Sequence, residues 1–132
     1  MIPGVDMKKE EINQISPVVL AYVGDAVFEL ALRSYLVRED RKALKDLHNK
    51  ATQMARAESQ ACFLKSLLEH LTEEELAVVR RGRNAKSRSF PKRTKVTEYR
   101  MSTGLEALLG YLYLKGDLER LEELLSLVWQ EK

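Results

Sequence analysis

Residues 20–32 read LAYVGDAVFELAL. Ten of the thirteen are apolar, and they fall all round a helical wheel rather than on one stripe, so a helix here must have other elements packed around it. A glycine and an acid, Gly24 and Asp25, interrupt that run. A glycine inside a helix loses about 1 kcal/mol against alanine, and a carboxylate placed in apolar surroundings is costly unless it is paired. A second stretch repeats the pattern. GLEALLGYLYL at residues 104–114 is apolar apart from two glycines and Glu106. Glycines let two backbones approach closely. If the helices cross near Gly24 and Gly110, Asp25 and Glu106 face one another.

Two facing carboxylates repel, and one is pushed to bind a proton. A divalent cation removes that conflict, and Mg²⁺ is commonly held by one or two carboxylates with water filling its remaining positions. A lone buried aspartate has a simpler reading, an arginine partner or backbone donors. Two isolated acids on two core helices favour the metal. Glu29 has a quiet explanation in Arg33, four residues on in the favourable order, and is read as structural.

The remaining pattern is helical throughout. Ser16 caps a helix with Pro17 in its first turn, running to about Val37. A second helical pattern covers about residues 43–70, with Leu44, Leu47, Ala51, Met54, Ala61, Leu64 and Leu68 near helical spacing and a break near Arg56. Thr72 and Glu75 form a capping box opening a helix to about Gly82. A polar loop follows, then a helix over about 97–115 that stops at Gly116. A last helix after Asp117 carries Leu118, Leu121, Leu124, Leu125, Val128 and Trp129. No alternating strand is evident, so the class is all-α. Residues 1–15 read as a lead and 16–132 as one domain, in keeping with a length of 132.

No apolar run is long enough to span a bilayer, and the N-terminal residues have no secretory h-region. The single cysteine, Cys62, cannot form an internal disulfide and is read as a small core residue. This points to a cytoplasmic location. The net charge of +2 is unevenly spread. Residues 80–100 hold nine of the 22 basic and one of the 20 acidic residues. Such a patch suits a polyanion. Arg81, Arg83, Lys86, Lys92 and Arg93 supply charge for phosphates, with Asn84 and Ser87 as short hydrogen-bonding groups.

LAYVGDAVFEL resembles the signature helix of the ribonuclease III family, and LEALLGYLYL its second catalytic helix. RGRNAKS, YRMSTGLEALLGYL and DLHNKA are similar to the small bacterial and plastid branch, Mini-ribonuclease III. The resemblance spans about residues 17–125. It implies the helical endonuclease-domain fold, working as a symmetric homodimer. It also implies Mg²⁺-dependent hydrolysis of double-stranded RNA to 5′-phosphate and 3′-hydroxyl ends, with Mn²⁺ able to substitute. By position Asp25 matches the catalytic aspartate, Glu106 the essential glutamate, and Tyr22 an aromatic of the subunit interface. The substrate implied is precursor 23S ribosomal RNA, with a ribosomal protein as a further partner.

Ala21 and Thr103 stand where larger family members have two further acids, so the metal site is thin; the Thr103 hydroxyl is placed to hold a metal-bound water. The branch lacks a double-stranded-RNA-binding domain, so affinity for RNA is expected from residues 80–100, since phosphate contacts supply most of it. His48 is given no catalytic role. The rival readings are a non-catalytic RNA-binding or ribosome-associated protein on the same fold, and a helical DNA-binding regulator.

Overall fold

A computed structural model describes residues 5–40, 43–85 and 95–130. Seven α-helices follow one another there: α1 (Lys9–Ile12), α2 (Pro17–Asp40), α3 (Leu44–Met54), α4 (Ala57–Leu67), α5 (Glu73–Arg83), α6 (Val96–Lys115) and α7 (Leu118–Gln130), with a 3₁₀ turn at Leu68–His70. No strand occurs among the described residues, and the fold is all-α as the sequence indicates.

The helix boundaries have local causes. The Val18 amide donates to Ser16 Oγ at 3.2 Å, starting α2. The Thr72 amide donates to Glu75 Oε1 at 2.9 Å and the Glu75 amide to Thr72 Oγ1 at 3.2 Å, closing the capping box of α5. Gly116 ends α6 with φ +83°, and the Asp117 amide bonds back to the Leu112 carbonyl at 2.9 Å.

Helix α6 is the hub. Gly104, Leu105 and the whole run Ala107–Leu112 are buried, with α2, α4 and α5 packed along it. The α2–α6 crossing is closer than side chains allow. A Cβ on Gly24 would lie 1.6 Å from the Glu106 carbonyl oxygen, and one on Gly110 would lie 2.0 Å from that of Leu20. That approach is what the two helix glycines make possible. Phe28 of α2 meets Phe63 of α4 and Trp129 of α7, with ring centroids 6.3 and 5.9 Å apart, closing the core on the far side. Residues 7–12 are seated on the core: Ile12 is fully buried, and the Met7 amide donates to the Leu114 carbonyl at 2.7 Å.

Two expectations change. Cys62 is exposed, not a core residue. The chain breaks at Ala55 and Arg56, and α4 starts in a new phase with Gln60, Ala61, Leu64 and Leu67 inward, which turns Cys62 out. Leu68 is exposed because α4 gives way to the 3₁₀ turn at that residue, and Leu44 at the start of α3 is 81% exposed.

A second link is a buried ion pair. Arg120 of α7 donates from Nε to Glu75 Oε2 at 2.9 Å and from Nη2 to Glu75 Oε1 at 2.8 Å. It also donates to the His70 carbonyl at 2.6 Å and to Glu123. The guanidinium holds the Glu75 carboxyl below its usual range, against the opposing effect of burial.

Candidate active site

The α2–α6 crossing decides where the two acids go. Gly24 sits on the backbone of Glu106, so Asp25, the next residue, is delivered beside the Glu106 side chain. The carboxyls are within hydrogen-bonding reach. They are not equally enclosed: Asp25 is exposed, correcting the expectation of two buried acids, whereas Glu106 is largely covered. A helix surrounded on most sides still has one open edge, and Asp25 is on it. Desolvation, followed by the proximity of Asp25, pushes the Glu106 carboxyl up to about 8. Near neutral pH and without a cation, Glu106 therefore retains its proton.

Inward of this pair is Gln60 of α4, only 1% exposed. It hydrogen-bonds to the Glu106 carboxyl, and its Oε1 accepts from Ser102 Oγ. The sequence reading passed over Gln60. Its signal was a lone amide within the apolar stripe of α4, at a position where a leucine or alanine would pack without cost.

Thr103, one turn before Glu106, donates from Oγ1 to the Tyr99 carbonyl at 3.1 Å. Its oxygen keeps acceptor capacity, and the side chain is half-buried. Glu29 Oε2 lies 3.7 Å from Arg33 Nε, an ion pair too long to be a hydrogen bond, and that buried oxygen has no hydrogen bond. No cluster of three or more potential metal ligands occurs among the described residues, so the donor set rests on Asp25 and Glu106. That set fits a hard divalent ion: two oxygen donors, one of which cannot comfortably ionise beside the other without added positive charge.

The basic end of α5 arrives at the same place. Gly82 lies against Gly104 and Ala107, with the Thr103 carbonyl 3.0 Å from where its Cβ would be. Arg83 and Asn84 follow at once and are exposed. Arg81 is exposed too, but donates from Nη2 to the Ile15 carbonyl at 3.2 Å, so part of its guanidinium anchors α5 to the start of α2. Lys86, Ser87, Lys92 and Arg93 lie outside the described residues. Tyr22 projects from α2 with 81% of its surface exposed. It stands beside a cleft of about 410 Å³ walled by Val23, Ala26, Val27, Leu30 and Tyr113, with Asp25 also contributing.

The family model described as "Ribonuclease III domain" matches residues 18–117. The chain belongs to the ribonuclease III family. Within it, the relatives are of the small branch: the Mini-ribonuclease 3 of Clostridium tetani is 41% identical over 126 residues, covering 95% of this chain and 83% of the relative. That of Symbiobacterium thermophilum is 48% identical over 112 residues, covering 85% and 86%. A crystal structure of a Fusobacterium nucleatum protein superposes with a TM-score of 0.81 at 29% identity, over 91% of this chain and 96% of that one. This ribonuclease III-family chain is therefore an endoribonuclease by kinship. No described helix is long and apolar enough to cross a membrane.

Proposed function

We propose that this chain is a divalent-metal-dependent endoribonuclease that cuts double-stranded RNA at the Asp25–Glu106 pair, acting on structured large-subunit (23S) ribosomal RNA precursor in the cytoplasm. The observation that carries the reading is the meeting of the two acids at the α2–α6 crossing, beside the basic end of α5. Asp25 and Glu106 would hold Mg²⁺, or Mn²⁺ in its place. Such an ion, when bound, polarises a phosphate and lowers the pKa of a water molecule.

The chain's own residues do the rest. Arg83 and Asn84 meet the RNA backbone at the end of α5, and the further basic residues of the sequence up to Arg100 add charge for phosphates. Duplex RNA is recognised by phosphates, 2′-hydroxyls and shape, which suits a charged surface without a stacking platform. The oxygen of Thr103 accepts from a water at the edge of the site. The half-buried Glu106 is held in place from within while the exposed Asp25 opens the pair to substrate.

The proposed homodimer joins two copies through α2. The exposed Tyr22 ring and the largely apolar cleft it lines form one patch, and a two-fold interface would set that patch against itself. Two copies of the site would then address the two strands of one duplex. Cleavage of 23S precursor is the substrate test. Mg²⁺-dependent cuts at matched positions on both strands, leaving 5′-phosphate ends, support the reading. Tight binding of the precursor without any cut, with or without ribosomal proteins, favours a non-catalytic RNA-binding protein instead. The absent acids at Ala21 and Thr103 are the specific feature on that side.

A further inference from the structure

The Glu106 side chain has an awkward task. It must stay aimed at another carboxylate, although its flexible stem permits rotation away from that repulsion. Helix α4 supplies what holds it. Gln60 is 1% exposed and Ser102 8% exposed, and both are buried polar residues in an otherwise apolar interior. Ser102 lies four residues before Glu106 on α6, on the same face. Gln60 bridges them from α4.

The polarity of the bridge is fixed from its charged end. A carboxylate beside an amide accepts from Nε2, which leaves Oε1 for the Ser102 hydroxyl to donate to. Two hydrogen bonds in a fixed sense lock the amide plane. Gln60 meets the Glu106 carboxyl from the buried interior, while Asp25 meets it from the exposed edge.

We infer that Gln60, oriented by Ser102, is the positioning residue that holds Glu106 in its ligating pose, and that the Ser102–Gln60–Glu106 chain sets the affinity of the site for its divalent ion. The inference rests on the metal-site reading above and names a residue two helices away from Asp25 in sequence. Partners that orient a metal ligand typically contribute 10–100-fold in metal affinity or activity.

The test uses the full chain without RNA, titrated with Mn²⁺ and followed by the paramagnetic resonance of the free ion, alongside cleavage at varied Mg²⁺. Gln60→Met keeps the volume and removes both hydrogen bonds. Its Mn²⁺ dissociation constant and its half-saturating Mg²⁺ should both rise about 10-fold. KM for RNA should stay unchanged, and cleavage should recover at excess Mg²⁺. Ser102→Ala should move the same quantities in the same direction by less, and decides the matter alone if Gln60→Met does not fold. Variants with a lowered melting temperature but Mn²⁺ affinity within about twofold of wild type would show a packing role only and overturn the inference. Wild type that binds no Mn²⁺ overturns the metal-site reading itself, and the positioning role with it.

Discussion

Replacing Glu106 with glutamine should make the metal-free protein more stable at neutral and alkaline pH while removing its activity. In the folded chain this carboxyl is pushed up to about 8, from an ordinary value of 4.5, chiefly by desolvation and then by Asp25. A group whose folded pKa is raised prefers the folded state when protonated. Its contribution is fully present below pH 4.5 and is lost as the pH rises through about 8. At 1.36 kcal/mol per unit the loss at pH 7 comes to roughly 3 kcal/mol. Water reaching the exposed side of the pair screens this to about 1.5 kcal/mol.

Glutamine has no proton to lose, and its amide can donate to Asp25 while its oxygen accepts from Gln60. For a domain of this size, 1.5 kcal/mol is a melting shift of about 5 °C. Thermal unfolding in EDTA between pH 5 and pH 9 measures it. The two curves should converge near pH 5 and separate by about 5 °C at pH 7 and by more at pH 8, with Glu106→Gln the more stable. Added Mg²⁺ should then raise wild type and not the variant. Parallel curves across that range, or a variant less stable at pH 8, would refute the electrostatic reasoning.

Gly24→Ala forces a Cβ to within 1.6 Å of the Glu106 carbonyl oxygen; α2 and α6 must part, so a loss of about 3 kcal/mol or more is expected by chemical denaturation, together with loss of cleavage. Arg120→Ala leaves Glu75 buried and unpaired, for an expected cost of about 3–5 kcal/mol. Because the folded pKa of Glu75 is lowered, the contribution of the pair is present above the unfolded value and fades as the pH falls through the folded one, so the gap between wild type and variant should narrow below about pH 4. Tyr22→Glu places a charge on the patch proposed to join two copies, and light scattering at micromolar concentration should then report a monomer where wild type is a dimer. Arg83→Ala should weaken RNA binding on all duplexes alike and reduce the salt dependence by about one phosphate contact, read as the slope of log affinity against log salt concentration.

Much of this architecture was written in local residue patterns. Ser16, Thr72 with Glu75, and Gly116 each mark a helix end by chemistry confined to one turn, and the structure places the ends there. The meeting of α2 and α6 was legible too, because Gly24 and Gly110 are destabilising in a helix unless a neighbour needs the space. What escaped were effects set by three-dimensional neighbours. After the break at Arg56, α4 buries Gln60 against Glu106 and leaves Cys62 in solvent, a facing set by the helices packed around it. Likewise the partner of Glu75 is 45 residues away, and nothing near Arg120 in the chain announces it. Asp25 showed the same limit: the run around it is apolar on every side, yet one edge of α2 stays open at the site.

The most direct measurement is cleavage of an end-labelled duplex RNA in Mg²⁺ by wild type, Asp25→Asn and Glu106→Gln, each checked for folding and RNA binding. The account predicts cuts by wild type only, with both variants folded, still bound to RNA and inactive, and wild type silenced by EDTA. Cleavage surviving in either folded variant, or persisting in EDTA, would contradict the claim that these two acids jointly hold the catalytic cation.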